Sequence, residues 1–173
     1  MKESAMNFQI EKLSKKYTVR MLIDTDVPTV FNLCRDNPLY YQHCPPFVTE
    51  DSIRADMQAL PPRKTMEDKY YIGFYAGENL MAVMDLILGF PDEETAFIGF
   101  FMMNKAYQGM GTGTALMREV YECLQESGFK FVRLCFAKGN PQSEHFWLKN
   151  GFVPNGVEVQ NEGYVAVVLE KEL

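Results

Sequence analysis

Three glycines at alternate positions, Gly109, Gly111 and Gly113, follow an apolar run over residues 96–103. They lead into a segment whose Leu116, Val120, Cys123 and Leu124 share one helical face. Glycine removes the side chain where backbone must come close to another body, and the start of a helix presents unpaired N–H groups with partial positive charge. Such a corner suits a phosphate or pyrophosphate. The plainer reading is a tight strand-to-helix turn that needs glycine for its own geometry. No Lys-Ser/Thr follows a G-x-x-x-x-G, so the loop is not a P-loop. The dinucleotide pattern G-x-G-x-x-G/A fails as well, ending on Thr114 when counted from Gly109 and on Leu116 when counted from Gly111.

A second chemical feature is Asp85, which interrupts the apolar run LMAVMDLIL. An uncompensated carboxylate there is costly, so Asp85 is either a general base or a structural carboxylate held by hydrogen bonds. Further on, Asn140 precedes Pro141 at the head of an apolar stretch, the arrangement of a helix cap followed by proline in the first turn.

Gln108-x-x-Gly111-x-Gly113 resembles the Arg/Gln-x-x-Gly-x-Gly/Ala signature of the GNAT (GCN5-related N-acetyltransferase) superfamily. Downstream, Asn140-Pro-Gln-Ser143-Glu-His-Phe146-Trp147-Leu-Lys-Asn-Gly151-Phe152 is similar to that family's N-x-x-[AS]-x-x-F-Y-x-x-x-G-F segment. The resemblance covers residues 17–170 and implies an α/β GNAT fold. That fold has a mixed, mostly antiparallel sheet of six or seven strands, about four flanking helices and a splayed strand pair at the acyl-CoA site.

The activity implied is transfer of the acetyl group of acetyl-CoA to a primary amine, by direct attack in a ternary complex without a metal. The backbone of Gln108, Gly109, Met110, Gly111, Thr112, Gly113 and Thr114 is then expected to hold the pyrophosphate of CoA. Met103, at the end of the preceding strand, is expected to pair with the pantetheine arm and to polarise the thioester carbonyl through its N–H. Asn140 and Ser143 are placed near the same arm, and Lys105, Arg118 and Lys138 are either local phosphate partners or solvated charges. Trp147 departs from the family's Tyr, and an indole N–H donates a hydrogen bond without acting as an acid near neutral pH. That departure keeps open an acyl-CoA-binding module without turnover, and a different acyl donor is a third possibility. Tyr40, Tyr41 and Phe47 are candidates for an acceptor pocket or for packing their own loop. Glu144, His145 and His43 are weaker catalytic candidates.

The elements that must position these residues alternate between strand and helix patterns, which fits one α/β domain over residues 17–173 behind an N-terminal arm of residues 1–16. Strands are predicted over 17–22, 70–76, 80–88, 96–103, 130–137 and 164–169, with 96–103 central and buried on both faces. Helices are predicted from Val27 to Asn37, from Ser52 to Leu60, after the glycine loop as far as Gly128, and from Pro141 to Gly151. Residues 39–50, rich in Pro and aromatics, read as a structured loop.

With 173 residues, 47% hydrophobic content and a net charge of −6, the chain can build its own core. It shows no electrostatic footprint for nucleic acid or an anionic membrane. The cluster of Lys12, Lys15 and Lys16 reads as solvated. Four dispersed cysteines and two histidines make no zinc pattern. Cys34, Cys123 and Cys135 are expected to be buried thiols, in keeping with a reducing compartment. Without a signal-like or membrane-length apolar run, a soluble cytoplasmic protein is expected.

Overall fold

The computed structural model describes residues 8–173. Seven strands form one sheet in the order β1-β2-β3-β4-β5-β7-β6: β1 Thr18–Met21, β2 Lys69–Ala76, β3 Asn79–Leu88, β4 Thr95–Met103, β5 Phe131–Ala137, β6 Val153–Asn161 and β7 Tyr164–Glu172. All neighbours are antiparallel except β4 and β5. Five helices accompany them: α1 Val27–Arg35, α2 Pro38–His43, α3 Glu50–Gln58, α4 Thr112–Glu126 and α5 Pro141–Lys149.

The apolar stripes read from the sequence settle on opposite faces of this sheet. Val27, Val30, Leu33 and Cys34 of α1 join Ile53 and Met57 of α3 against Tyr71, Val83 and Met102. Leu116, Met117, Val120 and Leu124 of α4 pack with Trp147 and Phe152 against Met84, Leu86 and Ile98. Thr49 caps α3, its Oγ1 accepting from Ser52 N–H at 3.0 Å while Ser52 Oγ accepts from Thr49 N–H at 2.9 Å, so the helix starts ahead of Ser52.

The site depends on what β4 does along its length. It pairs with β5 only from Thr95↔Phe131 to Ile98↔Leu134, whereas β5 stays paired with β7 as far as Ala137↔Ala166. At the point of separation Asp85 of β3 opposes Phe100 and Leu86 opposes Ile98, leaving Gly99 as an extra residue in β4. A bulge bends and twists its strand, which is how one edge can leave its neighbour. The expected splay is therefore present. The expected burial of β4 on both faces is not, because Gly99 lies exposed where the strands part.

Other expectations need correction. Residues 39–50 are not all loop, since α2 begins at Pro38 and turns Tyr40 and Tyr41 toward the sheet. Leu60 lies beyond α3 and is exposed. Of the N-terminal arm, residues 1–7 lie outside the described residues. Ile10–Leu13 form a 3-10 turn with Ile10 and Leu13 in the core, and Ser14 Oγ donates to Glu119 Oε1 at 3.2 Å. Lys12, Lys15 and Lys16 are exposed as expected. All four cysteines are free, but Cys135 is exposed because its stretch of β5 has no β4 beside it.

Candidate active site

Where β4 leaves β5, its backbone polar groups lose a partner on that side. Asn104 N–H donates to Met81 C=O of β3 at 2.7 Å, and partners alternate along an antiparallel strand. Met102, opposite Val83, therefore also bonds β3, while the N–H and C=O groups of Phe101 and Met103 face the gap. Met103 C=O accepts from Asn37 Nδ2 at 3.1 Å and from Gln108 Nε2 at 2.9 Å. Gln108 Nε2 also donates to Asn37 Oδ1 at 2.6 Å. The Gln108 side chain thus ties the glycine loop to the end of β4 and to the α1–α2 junction.

Gly111 has a φ of +76° and stands as the N-cap of α4, a left-handed position open to glycine at little cost. Ala115 N–H is the first of the helix to reach a carbonyl, that of Gly111 at 3.0 Å. The N–H groups of Thr112, Gly113 and Thr114 have no intrahelical partner and form an anion-ready terminus.

One cavity of about 300 Å³ takes in both features, with Met103, Gln108, Gly109, Gly111, Gly113 and Thr114 along one side and Ser143, Phe146 and Trp147 of α5 along the other. Phe101 and Phe146 stack at 6.1 Å between ring centres, and Trp147 meets Phe146 edge-on at 4.8 Å. A smaller cavity of about 110 Å³ opens in the gap itself, with Gly99 and Phe100 from β4, Cys135 and Phe136 from β5, Cys44 from the chain after α2 and Tyr164 from β7. No carboxylate or cationic side chain is among its walls. Tyr40, Phe101, Ser143 and Trp147 border both cavities.

A family model described as the acetyltransferase (GNAT) family matches residues 32–152. The chain belongs to the GNAT family. Solved structures of this fold include an acetyltransferase from Thermus thermophilus, 19% identical, with a TM-score of 0.69 over 91% of this chain and 97% of that one. The PaiA N-acetyltransferase from Thermoplasma acidophilum in complex with coenzyme A is 18% identical, with a TM-score of 0.62 over 91% of this chain and 99% of that one. The ribosomal-protein-S18-alanine N-acetyltransferase from Escherichia coli is 16% identical, with a TM-score of 0.62 over 90% of this chain and 93% of that one. Among curated proteins no relative matches.

Several residues singled out in the sequence stand apart from the cavities of this GNAT chain. Met110 is exposed, and neither it nor Thr112 is in a cavity wall. Asn140 is almost fully buried as the cap of α5, its Oδ1 accepting from Gln142 N–H at 3.1 Å and Ser143 N–H at 3.3 Å. Asn140→Ala is expected to cost about 1 kcal/mol, seen as a lower denaturant midpoint at unchanged slope. Asp85 lies outside both cavities, where Lys69 Nζ donates to its Oδ1 at 2.9 Å and its Oδ2 at 2.8 Å. Burial pushes the Asp85 carboxyl above its ordinary value, and the Lys69 ammonium acts against that shift. Lys105 and Arg118 are exposed, and Lys138 pairs with Glu158 at 2.9 Å. Glu144 and His145 are exposed, as expected of weak candidates.

Sequence reasoning missed Asn37, Phe101, Gln142 and Lys149 of the larger cavity, and Gly99, Phe100, Phe136 and Tyr164 among the walls of the smaller one. Lys149, in the last turn of α5, is the cation bordering that cavity. Among the described residues no group of three or more His, Cys, Asp or Glu is arranged to hold a metal ion. No helix among them is long and apolar enough to cross a membrane.

Proposed function

We propose that this protein transfers the acetyl group of acetyl-CoA to a primary amine by direct attack within a ternary complex. One feature carries the proposal: a single cavity runs from the unpaired edge of β4 to the open N-terminus of α4. An elongated acyl carrier with amide groups at one end and a diphosphate at the other fits that sequence of partners. The N–H groups of Thr112, Gly113 and Thr114 would hold the diphosphate, and Lys149 is the cation lining the same cavity. The N–H groups of Phe101 and Met103 would serve the pantetheine amides and the thioester carbonyl, whose oxygen gains negative charge as the amine adds.

The amine would approach through the smaller cavity. Its walls hold no carboxylate to compensate a desolvated ammonium, so the acceptor would enter the reactive region as free amine. Four free thiols and an acidic surface are in keeping with action in the cytoplasm.

Titration of acetyl-CoA and of CoA by calorimetry is expected to give saturable binding. Free thiol should then appear from acetyl-CoA when a panel of primary amines is supplied. Absence of binding heat for both nucleotides would overturn the proposal. Tight binding with no thiol release on any amine would instead support a sensor or scaffold built on the same cleft, the reading that Trp147 in place of the family's Tyr keeps open.

A further inference from the structure

The smaller cavity lies where β4 and β5 part, and its walls decide what can stand beside the carrier's thioester. None of them is Asp, Glu, Lys, Arg or His. The hydrogen-bonding side chains they offer are neutral: the hydroxyls of Tyr40, Ser143 and Tyr164 and the thiols of Cys44 and Cys135. Cations do stand on the chain at either end of the β5 stretch that lines the cavity, but both are engaged, Arg133 with Glu170 at 2.6 Å and Lys138 with Glu158 at 2.9 Å. Asp85 Oδ2 comes within 2.9 Å of the place that a Cβ on Gly99 would take, yet both Asp85 oxygens already accept from Lys69. A desolvated charge without a partner costs several kcal/mol, so a second ammonium or a carboxylate on the acceptor is penalised on entry.

The same cavity is small. Its volume of about 110 Å³ is below the roughly 150 Å³ of an apolar cavity that takes up benzene. Beside it the chain after α2 meets the turn between β6 and β7, where a Cβ on Gly163 would stand 3.0 Å from Pro45 Cγ. Gly163 has a φ of +87°, so both the conformation of the turn and its closeness to Pro45 call for glycine. Cys44 and Tyr164, next in sequence to the two residues in contact, line the smaller cavity and not the larger one. The contact therefore narrows the cavity on the side away from the carrier.

We infer that the acceptor is a small primary amine whose only ionisable group is the reacting nitrogen and whose remainder is a chain or ring of roughly four to six carbons. This rests on the acetyl-transfer function above and narrows its substrate. Polyamines, aminoglycosides and amino acids with a free carboxylate are poor partners because they carry charge that the walls do not compensate. Peptide amino termini are poor partners because the chain behind the nitrogen has too little room where Pro45 meets Gly163. A single hydroxyl on the acceptor is tolerated, since the hydroxyls and thiols in the wall can partner it.

The test measures CoA formation from acetyl-CoA by chromatography, on the intact protein, with a matched set of amines. Butylamine and 4-amino-1-butanol are expected to show kcat/KM at least ~100-fold above 1,4-diaminobutane and 4-aminobutanoate, which have the same carbon chain and differ in carrying a second charge. Trialanine amide, charged only at its amino terminus, should fall at least ~10-fold below butylamine, which separates bulk from charge. Cys135→Asp sets a carboxylate at an exposed position of the wall and should raise kcat/KM for 1,4-diaminobutane relative to butylamine by about 10-fold or more. Should that variant not fold, the amine set on wild-type protein decides the matter alone. Turnover of the diamine, the amino acid or the peptide as efficient as that of butylamine overturns the inference and leaves acetyl transfer standing. CoA release with none of the amines, neutral or charged, overturns acetyl transfer itself and the inference with it.

Discussion

Gly113→Val is expected to weaken CoA binding by at least ~100-fold, about 2.7 kcal/mol, while leaving the protein folded. Gly113 is in the first turn of α4 and forms part of the cavity wall. A Cβ there would stand 3.1 Å from Phe146 Cε2, 3.3 Å from Phe146 Cζ and 3.8 Å from Met103 Cγ. Alanine is tolerable if Phe146 yields by a few tenths of an ångström. Valine adds two methyl groups, which must go either into the stacked Phe101–Phe146 pair or into the space in front of the N–H groups of the helix terminus. Either outcome removes charge-assisted hydrogen bonds to a phosphate, each worth about 1.5–3 kcal/mol. The fold should survive, because valine is a somewhat better helix residue than glycine. Calorimetry gives the affinity, and circular dichroism with thermal unfolding shows that α4 is intact. A Gly113→Val protein that binds CoA like wild type would mean that the carrier does not lie against this turn.

The parts of this molecule legible in its sequence are those whose information is local. The helical face of α4, the cap of α5 and the strands β2, β3 and β4 each announce themselves within ten or fifteen residues, through periodicity, a capping Asn or a β-rich run. The glycine loop is local too, because an unprotected helix terminus and a left-handed Gly111 are properties of consecutive residues.

Strand β6 is the opposite case. It is an edge strand exposed at nearly every position, and Pro154, Asn155 and Gly156 interrupt it, so the alternation of Val157 and Val159 alone is too short to disclose it. Its pairing comes from β7 rather than from its own composition. The short helix α2 was hidden by the same prolines and aromatics that made its segment resemble a loop.

The site residues divide in the same way. Gly111, Gly113 and Met103 follow from the loop and from the strand that leads to it. Asn37 does not, since it joins the cavity only because α1 and α2 pack beside the end of β4, 66 positions away in the case of Met103. Tyr40 was a candidate from its aromatic, Pro-rich segment, and it lines both cavities. Phe101 was missed because its role comes from strand alternation and from the place where β5 departs, neither of which shows in the residue type. Gln108 was expected to contribute its backbone to the carrier's site, and it lines the larger cavity. Its side-chain amide, which the signature gave no reason to place, donates to Asn37 Oδ1 and Met103 C=O and so holds the loop in shape.

Asp85 shows how a correct local inference leaves its cause undecided. A carboxylate in an apolar strand must be compensated, and the compensation is Lys69 at the start of β2. The side chains are 1% exposed for Lys69 and 14% for Asp85. Lys69→Met is expected to cost about 3–5 kcal/mol, because it strands a carboxylate where water cannot reach it well. The double replacement Lys69→Met with Asp85→Leu should recover most of that loss, since two apolar side chains need no partner.

The pH dependence of the single variant has a fixed sign. Burial already lifts the Asp85 carboxyl above 3.8, and removing the ammonium removes the opposing influence. An acid whose folded value exceeds its unfolded one holds its proton longer in the folded state, so stability falls as pH rises through that interval. Urea unfolding of Lys69→Met should therefore show a smaller deficit near pH 5 than near pH 8. Equal deficits at the two pH values would mean that Asp85 does not carry an uncompensated charge in the variant. If Asp85→Asn were as stable as wild type but lost turnover, the carboxylate would belong to the chemistry. Its place outside both cavities, with both oxygens on Lys69, argues that the loss will be one of stability, and that CoA binding will persist in whatever fraction of the variant stays folded.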